Sequence, residues 1–247
     1  MNYFTFKEPY KEQDRTILEM NILPDKYCTF NCIYCPVSRT QYKHIKTDRL
    51  VHFEGLEDSL AELNRQIDTV HPDLVFINSL GEAVLNDALP QIISFIHERK
   101  LPVRLLSNGY PLALEPYKSI ANTCEEVIGE IKNWQEKDFQ LTQRPVSGYT
   151  LAQYRDNLLA FRHQYPGKFI FEATIVKGYN DSDEAAFWLA QLTADLQPDV
   201  LSILALTDKP FDKKLKISDE RLQEINRIVR SYFTSKQGEG HSQKLFG

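Results

Sequence analysis

The stretch TILEMNILPDKYCTFNCIYCP, residues 16–36, decides how this chain is read. Its first part, TILEMNIL (16–23), is an apolar run of strand length. Its second part puts Cys28, Cys32 and Cys35 inside eight residues, in a chain with 4 cysteines in all. A strand that runs directly into three thiols predicts a metal or redox centre at that strand's carboxyl end.

Outward from this stretch, helical and strand patterns alternate. Leu56, Leu60, Leu63, Ile67 and Val70 recur at intervals of four and three, which predicts a helix over about 55–70. DLVFINS (73–79) has the continuous apolar character of a buried parallel strand. ALPQIISFIHERK (88–100) reads as a helix, PVRLLS (102–107) as a third strand, and NGYPLALEPYKSIANT (108–123) as a turn and a short helix. A fourth strand ends EEVIGEIK (125–132), before a helix at 150–165 and a fifth strand, KFIFEATIV (168–176). A helix at 183–196, capped by Asp181 or Ser182, leads to a sixth strand at 199–206. A last helix starts near Ser218, with Leu222, Ile225, Ile228, Val229 and Tyr232 on its apolar face.

Six such units predict an α/β fold: a partial (β/α)6 TIM-like barrel of mostly parallel strands, or the same strands left open and doubly wound. Either form binds its ligands at the carboxyl ends of the strands, where the cysteines fall. The expected organisation is an N-terminal extension over 1–16, a core domain over 17–207, and a C-terminal helix and flexible tail over 208–247.

With 42% hydrophobic residues, the chain has material for a large core. A formal net charge of -5 argues against a non-specific nucleic-acid binder. RTQYKHIKTDR (39–49) is a local exception, with Arg39, Lys43, Lys46 and Arg49 against Asp48, and would suit an anionic substrate. The polar N-terminus and the lack of any apolar run of bilayer length predict a cytoplasmic protein with no membrane partner. In a reducing compartment, clustered cysteines hold metals or do redox chemistry rather than form disulfides. Structural zinc wants four ligands, usually from two knuckles, and only one knuckle is present, although His44 or Cys124 could complete a set. A [4Fe-4S] cluster can rest on three cysteines and keep one iron open.

The spacing of Cys28, Cys32, Tyr34 and Cys35, Cys-x3-Cys-x-aromatic-Cys after a first strand, resembles the signature of the radical S-adenosylmethionine (radical SAM) superfamily. The resemblance implies a [4Fe-4S] cluster on the three cysteines and S-adenosylmethionine chelated at the fourth iron. It implies reductive cleavage to methionine and a 5′-deoxyadenosyl radical, fed by a reductant such as flavodoxin or ferredoxin. Further positions carry it. Gly81 and Glu82 in NSLGEAVLN are similar to the family's Gly-Gly-Glu turn, with Ser79 and Leu80 before them and Ala83 where proline is frequent. Ser107 and Asn108 in LLSNG match its Thr-Asn-Gly. Glu130 and Lys132 in IGEIKNW look like the Asp-Ile-Lys ending of the glycyl-radical activating enzymes, where the lysine could pair with the cofactor's carboxylate. Ile175 and Val176 in IVKGYNDSD would lie near the adenine, and TQRPVSGYTLAQYRDNLLAF (142–161) resembles an Arg-Pro stretch of the wybutosine synthase group. That group's second cluster requires further cysteines, which this chain lacks.

The resemblance implies hydrogen abstraction from a substrate that is a small molecule, a peptide or an RNA, flanked by Trp134, Arg144, Tyr149 and the basic segment. Two alternatives stay open at this level. One is an activase that places a radical on a partner's glycine; the other is a non-catalytic zinc or iron-sulfur module on a degenerate form of the fold. Cys124, ahead of the fourth strand, reads as a buried thiol on the far face, and the six histidines show no metal-ligand spacing.

Overall fold

A computed structural model describes residues 1–37, 40–206 and 212–243. Six parallel strands form the centre: β1 (Arg15–Asn21), β2 (Leu74–Ile77), β3 (Val103–Ser107), β4 (Glu126–Glu130), β5 (Lys168–Ile175) and β6 (Val200–Ala205). They pair in chain order, β1 through β6. The connections carry α1 (Leu56–Val70), α2 (Leu89–Glu98), α3 (Tyr117–Ala121), α4 (Leu151–Gln164) and α5 (Asp183–Leu196), and α6 (Asp219–Gln243) follows the last strand. Sequential order with crossovers of one hand puts the helices on one face, and the strands' own twist curls the other face inward. The result is the partial (β/α)6 barrel expected from the sequence.

Two short strands, Thr5–Phe6 and Tyr10–Glu12, pair antiparallel with β1 and cover its free edge. They are too short to show a period, which is why 1–16 reads as a plain extension in the sequence. Ser182 is the cap of α5, its side chain accepting from the Ala185 amide. The helix α6 packs Ile225 and Val229 into the core and keeps helical backbone to Gln243, so 235–243 of the segment expected to be loose is helical. Once a helix is nucleated, each added residue costs little. Residues 207–211 and 244–247 lie outside the described residues.

Strand alternation sorts the side chains. Leu18, Val75, Leu105, Val127, Phe169 and Ala173 face the helices in the main core. The opposite rows face the lumen and meet in register: Arg104 beside Glu126, Leu106 beside Ile128, Glu130 beside Glu172. They stack in three levels. At the bottom, Arg104 is 5% exposed and donates to Glu126 at 2.6 Å and to both oxygens of Glu12 at 2.7 and 3.0 Å, while Arg15 donates to the other Glu126 oxygen at 2.8 Å. Packed against these ions, with Phe76 in register with Arg104, lies an apolar plug of Ile17, Leu74, Phe76, Ile128 and Ile170. Beyond it the lumen opens into a cavity lined by both charged and apolar side chains. Among the described residues, no helix is long and apolar enough to cross a membrane.

Candidate active site

The cysteine loop begins on a three-residue strand, Lys26–Cys28, which pairs in parallel with His44–Lys46. From Thr29 to Pro36 the chain has no regular structure, and its amides find acceptors elsewhere. Asn31 N donates to Gln143 O at 2.9 Å and Ile33 N to Thr142 O at 2.8 Å, within a π-helical turn, Phe139–Gln143, between β4 and α4. Asn133 locks that turn, its amide donating to Thr142 Oγ1 at 3.1 Å and Gln143 Oε1 at 2.7 Å.

A second fastening comes from the end of β2. Glu82 N donates to Tyr27 O at 2.8 Å, and a Cβ on Gly81 would lie 2.0 Å from that same oxygen. Gly81 is therefore required by close approach of the two segments. Gly81→Ala is expected to push the cysteine strand away, weakening iron binding at least tenfold by iron assay and lowering stability by about 1–3 kcal/mol in urea unfolding.

Cys28, Cys32, Cys35, Tyr34, Gly81, Asn108, Glu130 and Lys132 all line one cavity of about 350 Å³ at the carboxyl ends of the strands. Asn108 ties three elements together: its amide N donates to Glu82 Oε2 at 2.8 Å, and its side chain donates to Thr29 Oγ1 at 2.8 Å and reaches Cys28 Sγ at 3.6 Å. Gly109, at φ +88, follows it, with the Glu130 carbonyl 2.6 Å from where a Cβ would stand. Lys132 forms an ion pair with Glu130 inside the cavity. Glu82, Ser107 and Val176, expected at the site, are each about 1% exposed and are not among the lining residues. Val176 packs with Tyr34 and Leu206 in an apolar cluster against the cysteine loop.

The expected flanking residues lie elsewhere. Tyr149 stacks on Tyr110 at 3.7 Å, Trp134 donates to the Tyr179 carbonyl at 3.1 Å, and Arg144 is exposed. None of the three lines the cavity. In the basic segment, Lys46 donates to the Pro145 carbonyl at 2.8 Å, and Arg39 is outside the described residues. Sequence reasoning missed Lys26, Gln143 and Glu172, which do line the cavity. The signal for Glu172 was present: it is the one charge inside the apolar run FIFEATIV, where alternation directs it to the lumen.

Burial governs the ionisation here. It pushes the Cys28 thiol up to about 11, with Glu82 adding to the rise, and the Cys32 thiol up to about 12, with Cys28 adding. Burial likewise raises Glu82 to about 7, and its Oε1 is buried with no hydrogen-bond partner among the described residues. Glu172 is pushed up by burial first and by Glu130 second. Such a set holds thiolates only if positive charge is brought among them.

Residues 22–189 match the model of the radical SAM superfamily, about two thirds of the chain. The chain belongs to the radical SAM superfamily. Enzymes of that superfamily use S-adenosylmethionine and a [4Fe-4S] cluster as cofactors. A UPF0026 protein of Methanocaldococcus jannaschii is 23% identical over 212 residues, 86% of this chain and 65% of that protein, so the chain spans just under two thirds of this relative's length. Among solved structures, a radical SAM methyltransferase from Sphaerobacter thermophilus matches 94% of this chain and 75% of its own at a TM-score of 0.64 and 14% identity. TYW1 with a lysine-pyruvate adduct bound matches 87% of this chain and 73% of its own at a TM-score of 0.63 and 15% identity. These likenesses are of fold.

The donor set of this radical SAM chain fits a cluster: three thiols of one loop share one cavity, the number on which a [4Fe-4S] cluster with one open iron can rest.

Proposed function

We propose that this chain cleaves S-adenosylmethionine reductively at a [4Fe-4S] cluster held by Cys28, Cys32 and Cys35, and takes a hydrogen atom from a substrate in the same cavity. The observation that supports this is the meeting of the three thiols with Asn108, Glu130 and Lys132 in one cavity at the carboxyl ends of the strands. When bound, a [4Fe-4S] cluster would supply the electron for reductive cleavage of the cofactor's sulfonium.

The chain's own residues do the holding. Glu130 would hold the cofactor's ammonium and Lys132 its carboxylate, a pairing of charges that would orient the molecule. The backbone of the Gly81–Glu82 turn and the amide of Asn108 border the methionine end, with Ser107 behind them. Tyr34 and Val176 give the loop an apolar floor, and Leu106, Leu204 and Leu206 line the cavity with surface that keeps water from a reactive carbon. In this reading 17–207 is the catalytic core, working in the cytoplasm with a reductant such as flavodoxin or ferredoxin, and the substrate is a small molecule, a peptide or an RNA.

Anaerobic reconstitution with iron and sulfide tests the proposal. The expected product is a brown protein that, once reduced, converts S-adenosylmethionine to 5′-deoxyadenosine. A colourless zinc protein, or an iron-loaded one that forms no 5′-deoxyadenosine, would overturn it. Cys124→Ala is expected to keep full iron content and turnover. Cys124 is 4% exposed and lies just before β4, at the opposite end of the strands, so its loss costs about 1 kcal/mol of packing and nothing at the site.

A further inference from the structure

We infer that Lys26 is the fixed counter-charge of the cysteine-held cluster, and that its ammonium raises the cluster's reduction potential. This rests on the cluster assignment proposed above. Lys26 is 3% exposed, and its Nζ is buried with no hydrogen-bond partner among the described residues. An isolated ammonium in a protein interior is strongly unfavourable, so its position calls for a negative partner.

The surroundings say which partner. On a strand, residues two apart point to the same side, and the strand Lys26–Cys28 therefore sends the lysine and the first cysteine to one face. Both side chains line the cavity, together with Cys32. The other cation of the cavity, Lys132, pairs with Glu130 and is the group assigned above to the cofactor's carboxylate. Glu82, the buried carboxyl on the adjoining turn, spends one oxygen on the Asn108 amide and forms no ion pair with Lys26. The basic segment expected to bring positive charge sends Lys46 to the Pro145 carbonyl instead. Lys26 is thus the uncommitted positive charge among the described lining residues, and it stands beside the thiols.

A cluster on three thiolates is anionic and becomes more so when it gains an electron. Fixed positive charge at close range, in a site walled from water, favours the reduced form. The Asn108 amide near Cys28 Sγ acts in the same direction. Lys26 is a positioning charge rather than a catalytic residue, since the inference gives it no contact with substrate.

The test compares cluster-loaded parent, Lys26→Met and Lys26→Arg proteins, each titrated anaerobically with dithionite, without S-adenosylmethionine, and followed by electron paramagnetic resonance. Lys26→Met is expected to shift the potential negative by at least a tenfold change in the reduction equilibrium, about 59 mV for a one-electron couple. Lys26→Arg should stay within a threefold change. A loaded Lys26→Met protein with the parental potential overturns the inference. A shift seen only after S-adenosylmethionine is added also overturns it and reassigns the lysine to the cofactor's carboxylate. If Lys26→Met folds but takes up no iron, the arginine variant decides: iron retained supports the charge, iron lost overturns it. Lys26→Gln is judged by the same criteria where the methionine variant does not fold. A parent chain that holds no iron defeats the cluster assignment, and Lys26 falls with it, so the two failures are told apart.

Discussion

Cys32→Ala is expected to purify as a folded, colourless protein with no detectable 5′-deoxyadenosine formation. Two remaining thiolates cannot hold a cube against solvent and oxygen, and the loss should exceed the roughly 100-fold that follows removal of a supporting residue around a metal. The fold is expected to survive. The loop's path is set by Asn31 and Ile33 amides bonded to the Gln143 and Thr142 carbonyls and by the Glu82 amide on Tyr27, none of which involves the Cys32 side chain. Iron content, the visible absorption of the reconstituted protein and product chromatography check this together. Parental turnover in the variant would refute the cluster assignment.

Arg104→Met is expected to be the most damaging single change for stability, at a cost of about 3–5 kcal/mol in urea unfolding. The guanidinium is almost wholly buried and bridges Glu126 and Glu12, so removing it leaves the buried Glu126 with only Arg15 and Lys168 to offset its charge and opens a void at the floor of the lumen. The same ions set the acid response. Burial alone would raise Glu126, but hydrogen bonds from Arg15 and Arg104 outweigh it and hold the carboxyl below its ordinary 4.5. Hydrogen bonding from Arg104 lowers Glu12 in the same way. A lowered folded-state value means that this stability is present above the ordinary carboxylate range and is lost as pH falls through the lowered values. The parent should therefore lose stability steeply over roughly pH 5 to 3, and Arg104→Met should lose less over that span because its carboxylates are already poorly matched. Equal slopes for the two proteins would show that the ion layer does not carry the acid sensitivity.

What could be read ahead of the structure follows from length and period. The six central strands and their long helices were visible because runs such as DLVFINS and the Leu56 to Val70 series repeat often enough to reveal a period. Of the eight residues expected at the site that do line the cavity, Cys28, Asn108, Glu130 and Lys132 sit at or just past strand ends, and Cys32, Tyr34, Cys35 and Gly81 lie on the loops that follow strands, where position in the chain fixes position in space. Side-chain direction is harder. Glu82 and Ser107 follow the right strands, but each turns into protein, Glu82 onto the Asn108 amide and Ser107 onto the Gly109 amide at 3.1 Å. Lys26 lies on a strand too short to show alternation. Gln143 arrives through a π-helical turn that has no sequence period. In the basic run at 39–49, Lys46 turns to the Pro145 carbonyl, which charge counted along a chain could not show.

The anchors of the thiol loop on the β4–α4 connection are main-chain oxygens, which every residue type possesses. Substitutions along that connection should therefore leave the sulfurs on their scaffold wherever they keep the backbone path, and the positions that cannot change freely are Asn133, Thr142 and Gln143, whose side chains fix the turn.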